Sequence, residues 1–261
     1  MDNGERGDKR VEIRDMKTIL KYLLCGAMWL GLGQAHAQNN PYIDDKLLHF
    51  GFFIGLDMLS YHIQENDDAT QKYLAEHLDD IPTNNNKVYH PRTMAVGPGF
   101  QVGFITDLRL HRYLNLRFTP ALHFGERTIN YTGDSITSTN VLTIPVTIPL
   151  YLKWSAPRIN NYRPYVVAGG GVEFECFRDK DKPILHKPFD AFVSAGFGCD
   201  FYFRWFKLSP EIRYQVGFLD AHTPISAAGE NDWGIGADKY FYTNAIKHMT
   251  HQKLSIIFNF E

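Results

Sequence analysis

Four polar residues of the chain have the types that general acid–base chemistry uses. A histidine, an acidic residue and a serine can together move protons and attack an ester, as in some lipid-modifying membrane enzymes. The four residues are His123, Glu126, His222 and Ser226. Nothing in their spacing requires them to meet, and the ordinary polar content of loops explains them. The sequence therefore predicts no catalytic residue, and a lipid-modifying enzyme with a rim site stays an alternative.

Metal and cofactor binding also lack a convincing pattern. His248 and His251 are three residues apart, but they precede a predicted strand and lack a third partner. A structural zinc site needs four ligands and a catalytic one three. The sequence contains no nucleophile motif and no phosphate-binding loop. We therefore predict no metal ligand, no cofactor and no enzymatic activity.

Composition and charge exclude two broad classes of protein. The 261 residues have a formal net charge of -2, which gives no electrostatic footprint for nucleic acid. Hydrophobic residues make up 44% and aromatic residues 14% of the chain, enough for a folded core. The mean hydropathy of -0.29 is that of a polar protein. A protein built of several membrane helices would score far higher.

The N-terminal region has the layout of a secretory signal peptide. Lys17 and Lys21 accompany an apolar stretch over residues 18–32, and the sequence Ala35-His36-Ala37 follows. A basic region, an apolar stretch of about fifteen residues and an Ala-x-Ala end are typical of such signals. We expect cleavage after Ala37, which makes residues 1–37 an extension plus signal and residues 38–261 the mature domain. A polar segment is not expected ahead of a signal peptide, so we expect translation to start at Met16.

Alternation of apolar and polar residues with period two recurs along the mature chain. In the segment that starts at Leu142, apolar residues occupy every second position up to Leu152, opposite Thr143, Thr147 and Lys153. Such alternation predicts a strand with one apolar face. Three of these runs extend for ten residues or more, whereas strands of soluble sheets are typically five or six residues long, so a membrane barrel is favoured over a sandwich. The predicted strands are 48–60, 94–106, 114–124, 142–153, 164–174, 191–203, 206–218 and 252–260.

The connections between the predicted strands alternate in length. Short ones surround residues 108–111, 155–161 and 204–205, and long ones cover residues 61–92, 126–140, 176–190 and 220–251. In outer-membrane barrels short turns face the periplasm and long loops face the outside. The sequence therefore predicts an all-β fold, a transmembrane antiparallel up-and-down β-barrel of about eight strands in the outer membrane, with both ends on the periplasmic side.

Charged residues fall on the inward faces of the predicted strands. An eight-stranded barrel has an interior only wide enough for its own side chains. We therefore expect these residues to pair with each other as a polar plug rather than to line an open channel. They are Asp57, Arg117, His123, Lys153, Glu173, Asp200, Lys207, Glu211 and Arg213.

The cysteines left after signal cleavage are Cys176 and Cys199. An exported protein with two cysteines is able to close one disulfide. The predicted strands place the two residues at different heights on neighbouring strands, so we predict no disulfide between them.

Aromatic residues near predicted strand ends agree with a membrane barrel, because such rings prefer the membrane interface. Trp154 and Tyr162 flank one short turn, and Trp205 lies in another. The last predicted strand ends in Phe260, similar to the terminal-strand signal of outer-membrane proteins. Glu261 follows it, so the match to that signal is imperfect.

Several short segments resemble the PorT family of Bacteroidetes outer-membrane barrels. The resemblance runs from about Lys46 to Phe260 and implies a barrel of the type IX secretion system, which moves cargo proteins with a C-terminal signal domain across the outer membrane and supports gliding in some members. The implied role is accessory or structural, with protein partners in a secretion complex. The segments are His49-Phe50-Gly51-Phe52, Gly55-Leu56, Gly97-Pro98-Gly99-Phe100-Gln101-Val102-Gly103, Leu114-Asn115-Leu116-Arg117-Phe118-Thr119-Pro120 and Phe124-Gly125-Glu126-Arg127.

A structural or adhesive barrel of the OmpX type is a further alternative. Its strands are expected to protrude beyond the membrane as a stiff sheet. The resemblance favours the secretion component, whose loops or periplasmic turns are offered to partner subunits.

Overall fold

The computed structural model describes residues 44, 46–68, 70–71, 90–93, 97–132, 137–176, 187–222 and 245–261. The expected signal peptide, its cleavage point and the start at Met16 lie outside the described residues. Within the described part of the chain, no helix is both long and apolar enough to span a membrane.

Eleven strands account for most of the described residues. All are antiparallel to their neighbours and belong to one sheet. They are β1 (Leu48–Glu65), β2 (His90–Thr93), β3 (Gly97–His111), β4 (Leu114–Phe118), β5 (Ala121–Thr132), β6 (Thr137–Thr143), β7 (Pro145–Ser155), β8 (Tyr162–Glu175), β9 (Phe189–Tyr202), β10 (Lys207–Gly217) and β11 (Ile246–Phe260).

Two of the barrel strands are interrupted by proline. β4 and β5 keep one register against both neighbours, and they are separated by Thr119 and Pro120 alone. β6 and β7 likewise share a register against β5, and β7 begins at Pro145. Proline has no N–H to donate to a ladder, which explains the breaks. Each pair is therefore one barrel strand. β2 pairs with β5 on the same edge as β3 and adds no strand to the wall, so the wall has eight strands, as predicted.

The sheet closes on itself because β1 pairs with β11 on one side and with β3 on the other. Following paired residues once around the wall leads from Phe50 back to β1 at Ser60, ten residues further along the strand. Such a stagger accompanies the strand tilt of a closed barrel. The path passes through Thr106, Phe118, Leu150, Gly170, Val193, Val216 and Gln252.

The two faces of the wall are inverted relative to a soluble barrel. Large apolar side chains point outward, for example Phe52 at 54% exposed and Phe104 at 70% exposed. Charged and polar side chains point inward and are buried, among them Arg117 and Lys153. An apolar exterior around a polar interior is the arrangement expected of strands that face lipid.

The apolar belt has a defined upper limit on β1. Outward positions are apolar from Leu48 to Met58, and then become polar at Ser60, His62 and Gln64. Eleven residues match the length of a tilted membrane-spanning strand. β1 therefore continues beyond the membrane on the side of the long connections.

The structure corrects three details of the sequence prediction. β3 extends to His111, so the first short turn is Arg112-Tyr113 rather than residues 108–111. The predicted long loop over residues 126–140 is instead mostly strand, because β5 and β6 pair from Gly125 to Tyr131. β1 and β11 also extend further into the predicted loops than expected. Above the membrane belt the outward positions become polar, whereas the inner face contains buried apolar residues such as Tyr61. The apolar-outward pattern of the membrane belt is therefore lost there, so it underestimates the length of the strands.

Cys176 and Cys199, the cysteines among the described residues, are free thiols, as predicted. Cys176 follows the end of β8 on the long-connection side, whereas Cys199 lies on β9 opposite Pro164, near the short-turn end.

Candidate functional site: a charged barrel interior

All nine charged residues predicted to face inward are buried in the barrel. Their positions follow from the alternation of side chains along each strand. Since no bulk water reaches most of them, each charge needs a partner inside the wall. The predicted polar plug is therefore confirmed.

Arg117 is the centre of the network near the short-turn end. Its guanidinium donates two hydrogen bonds of 2.7 Å to the carboxylate of Asp107 across the β3–β4 pair. It also donates to Glu261 at 2.8 Å and to Glu211 at 3.4 Å. A planar guanidinium with five donors is suited to holding several carboxylates at once.

Glu261 places its side chain inside the barrel, next to Arg117. The carboxylate lies 2.6 Å from the ammonium of Lys207 and is buried. The backbones of Glu261 and Lys207 also exchange two hydrogen bonds. Glu261, which makes the match to the terminal aromatic signal imperfect, is thus an interior ion-pair partner. Phe260, the residue before it, faces outward.

A second group of contacts joins β7, β9 and β10. The ammonium of Lys153 lies 2.9 Å from both carboxylate oxygens of Asp200, which also accepts a hydrogen bond from Ser209. On β10, Arg213 donates to Glu211, and Tyr165 donates to the same carboxylate at 2.9 Å. These contacts join side chains of four neighbouring strands across the interior.

The middle of the barrel contains an arrangement of Asp57, His123 and Thr147 that resembles a catalytic triad. Nδ1 of His123 lies 2.7 Å from the carboxylate of Asp57, and Nε2 lies 3.0 Å from the hydroxyl of Thr147. Gln101 and Ser255 donate further hydrogen bonds to Asp57.

The surroundings of this arrangement argue against catalysis. All three side chains are buried. The cavity beside them measures about 10 Å³, which is room for one water molecule and not for a lipid ester. Lys253 lies 3.4 Å from the imidazole. The arrangement therefore serves to hold strands together.

Of the four residues considered for a rim enzyme, the three that the structure describes do not meet in one site. His123 faces the interior, whereas Glu126 is exposed on the outer face of the same β5 strand. His222 lies beyond the end of β10 and is buried. Ser226 lies outside the described residues. His123 and Glu126 are three positions apart on β5. Residues an odd number of positions apart on a strand face opposite sides of the sheet, so the two are separated.

His222 and Asp220 form a small polar cluster above the membrane belt. Asp220 accepts hydrogen bonds from the backbone N–H groups of His222 and Met249, and it contacts Nδ1 of His248 at 3.1 Å. Burial raises the pKa of Asp220, but these hydrogen bonds outweigh it and hold the pKa below its ordinary value. Burial, helped by Lys187, lowers the pKa of His222 to about 4 even though Asp220 acts in the opposite direction.

The two histidines considered as a metal pair point to opposite faces of β11. His248 is exposed and contacts Asp220, whereas His251 is buried with Nδ1 3.7 Å from a carboxylate oxygen of Glu173. Among the described residues, no three histidine, cysteine or acidic side chains are grouped so as to hold a metal ion.

Asp44 contacts three side chains at the short-turn end of the barrel, a feature that the sequence analysis missed. Its carboxylate accepts a hydrogen bond from Tyr202 and lies 3.5 Å from Arg163, and its carbonyl accepts one from Arg109 at 2.7 Å. A single polar residue before the first strand gives no periodic signal that would have revealed this contact.

Arginine and aromatic side chains cover the outside of the same end. Arg158 lies over the ring of Tyr202 at 3.7 Å, and Arg204 lies over Trp205 at 5.2 Å. Trp205 is 83% exposed. Arginine and aromatic residues are enriched in the contact surfaces of protein complexes and at membrane interfaces.

A family model relates this chain to outer-membrane barrels. No curated protein matches the chain. Among solved structures, the chain is similar to the outer membrane protein OprG from Pseudomonas aeruginosa, with a TM-score of 0.41 and 11% identity over 80% of this chain and 94% of OprG. The family model described as "Outer membrane protein beta-barrel domain" matches residues 36–223, which is more than half of the chain. The chain belongs to this family of outer-membrane β-barrel proteins.

Proposed function

We propose that this chain is a non-enzymatic component of the type IX secretion system, a barrel that supports the export of cargo proteins and, where cells glide, gliding. The observation that carries the proposal is the filled interior. Buried ion pairs such as Arg117 with Asp107 occupy the space through which a porin would conduct. A barrel without a passage acts through its surfaces, as an accessory subunit does.

The short-turn end is the surface on which we place the protein partners. Among the described residues there, Lys46, Arg112 and Arg204 are exposed cations, whereas the acidic Asp44 is half-buried and bound to Tyr202. Exposed arginines beside aromatic rings favour a partner with an acidic face. This end faces the periplasm, where cargo waits before export.

A gene deletion with defined complementation tests the proposal. Cells without the gene should retain cargo with a C-terminal signal domain in the periplasm, and the wild-type gene should restore export. The double variant Arg112→Glu/Arg204→Glu should restore export poorly, because it reverses charge in two exposed turns. The control Lys187→Glu/Lys247→Glu makes the same charge change at the opposite end and should restore export fully. Normal export by the deletion strain would refute the secretion role.

An adhesive or structural barrel is the second candidate, and the length of β1 and β5 favours it. β1 passes the apolar belt by several residues, and β5 continues to Thr132, paired with β2 and β6. Replacing residues 131–137 by Asn-Gly would join the paired Asn130 and Ser138 through a two-residue turn. Loss of surface adhesion with unchanged export would support this candidate. Unchanged adhesion with loss of export would exclude it.

A further inference from the structure

A polar cavity of about 10 Å³ lies inside the barrel. Its lining includes Thr119, which joins β4 to β5, and Arg213 on β10. These two positions are four strands apart in a ring of eight, so they face each other across the lumen. The volume is that of one water molecule or one ion of similar size, which excludes phosphate, carboxylates and organic molecules.

The lysine and arginine side chains that line this cavity give it positive charge. Arg213 contributes a guanidinium and Lys253 an ammonium, and none of the described lining residues is acidic. A buried cation offsets the cost of burying an anion beside it and increases the cost of burying a second cation. The charge of the lining therefore favours an anion.

Arg213 is only partly compensated by its carboxylate partner. Its Nε donates to Oε1 of Glu211 at 2.7 Å, and its Nη2 contacts the same oxygen. The other oxygen of Glu211 accepts hydrogen bonds from Tyr165 and Arg117. One carboxylate is thus shared by two guanidinium groups, and Nη1 of Arg213 donates no hydrogen bond within the described chain.

Lys253 has a loose ion pair. Its ammonium lies 3.6 Å from Oε2 of Glu173, whereas the ammonium of the buried Lys207 lies 2.6 Å from its carboxylate partner. The same oxygen of Glu173 accepts a hydrogen bond of 3.0 Å from Gln215. The ammonium of Lys253 therefore has positive charge left for a second partner.

Thr119 adds a hydroxyl that has no hydrogen-bond partner in the described chain. The residue lines the cavity, is 1% exposed and leaves its Oγ1 unpaired. A buried hydroxyl is costly to leave unpaired, and nearly all such groups in folded proteins are satisfied. A ligand in the cavity would accept a hydrogen bond from this hydroxyl.

We propose that the cavity binds one monovalent anion of halide size, chloride in the cell, between Arg213, Lys253 and Thr119. The anion balances the positive charge that remains after these cations pair with Glu211 and Glu173. It also ties β10 and β11 to the strand on the opposite side of the ring. The proposal depends on the filled barrel interior and not on the secretion role.

Anomalous X-ray scattering locates the anion directly. Wild-type barrel is refolded and crystallised in sodium bromide, because bromide substitutes for chloride and is identified at its absorption edge. A bromide peak within hydrogen-bond distance of Arg213 and Thr119 is expected. Water alone in the cavity would overturn the proposal. Bromide found only at other positions would indicate an adventitious ion only and would overturn it as well.

Urea unfolding in lipid vesicles tests the part played by Thr119. Sodium bromide replaces sodium gluconate at constant ionic strength, because a ligand of the folded state raises the free energy of unfolding with its concentration. Thr119→Val removes the hydroxyl and keeps the shape, whereas Thr106→Val makes the same change on the outer face of β3. Thr119→Ser keeps the hydroxyl.

The four proteins should divide by the hydroxyl at position 119. Wild type, Thr106→Val and Thr119→Ser should gain the same stability from bromide. Thr119→Val should bind bromide about tenfold more weakly, the effect of losing one hydrogen bond to a charged group. An equal response of all four proteins would be a general salt effect and would overturn the proposal. If Thr119→Val does not fold, the bromide position in the wild type decides.

Discussion

At the scale of single residues, the interior of this protein is organised by charges that share partners. Arg117 binds Asp107, Glu211 and Glu261 at once, and its side chain has no exposed surface. A buried charge is costly to leave alone, although a whole network does not necessarily add stability over apolar packing. Removing one charged side chain leaves its partners buried without a counter-charge. The loss of stability in such a variant therefore tests the role of the network.

Replacing Arg117 by methionine should destabilise the barrel strongly. The change leaves the carboxylates of Asp107, Glu211 and Glu261 without their shared cation, and we expect a loss of about 3 to 5 kcal/mol in the free energy of unfolding. Urea titration of the barrel in lipid vesicles measures it. The control Arg112→Met removes an exposed cation from a turn and should change stability by less than about 0.5 kcal/mol. Equal effects of the two variants would contradict the central role of Arg117.

Acid should weaken the protein through His222. Its pKa is about 4 in the folded protein, below the ordinary value of 6.5, so the unfolded chain takes up the proton first. Stability from the neutral imidazole is complete above pH 6.5 and is lost as the pH falls toward 4, by about 2 kcal/mol at pH 5. Unfolding of wild type and His222→Leu at pH 7 and pH 5 measures the difference. His222→Leu should lose less stability on acidification, whereas the exposed control His62→Leu should behave as wild type.

At the scale of strands, side-chain alternation decides which residues face the interior. A glycine on a neighbouring strand leaves space there for a large side chain. Gly198 on β9 faces the interior beside Tyr165, whose hydroxyl donates to Glu211. The same ring faces the ammonium of Lys153 at 4.0 Å. Two ion-pair groups therefore meet at one aromatic ring, and the ring depends on the absence of a side chain at position 198.

Gly198→Ala should displace that ring. The added Cβ would lie 2.6 Å from the ring of Tyr165, and overpacking of this kind costs about 1 to 3 kcal/mol. Ala195→Val adds volume on the same strand at an exposed, outward position and should have little effect. Equilibrium unfolding in vesicles compares the two variants. A stability of Gly198→Ala equal to that of wild type would show that the ring moves aside freely.

Strand-scale features were largely predictable from the sequence. The alternation around Lys153 and Arg213 identified both as inward-facing, because period two assigns faces without knowledge of the neighbours. The same parity would have placed Asp107 with Gln101, and Glu261 with Ser255, on the inner face. Partners were not predictable, since the contact of Arg117 with Glu261 joins residues 144 positions apart.

At the scale of the whole molecule, pairing of β1 with β11 closes the sheet into a ring. The described wall is continuous from β1 around to β11, and the interior contact between His123 and Asp57 crosses from one strand to another. Asp44 adds a contact with Tyr202 at the short-turn end. A closed barrel of this family anchors in the outer membrane and presents its strand ends to both sides.

The sealed interior predicts an absence of porin-like conductance. Purified barrel added to a planar lipid bilayer should give no stable open channel, because Arg117, Arg213 and Lys153 occupy the lumen with their carboxylate partners. A channel-forming porin of sixteen strands, added under the same conditions, is the positive control. Steady ion current from the wild-type barrel would contradict the filled lumen and weaken the proposed accessory role.

The sequence by itself determined the class of this protein. Long runs with period two, alternating short and long connections and charges on the inner faces predict an outer-membrane barrel of eight strands, because each signal is local along the chain. Tertiary structure alone decided the ten-residue stagger and the ion pairs of Glu261. Those features arise when strands distant in sequence are brought into one register, and no local pattern encodes that register.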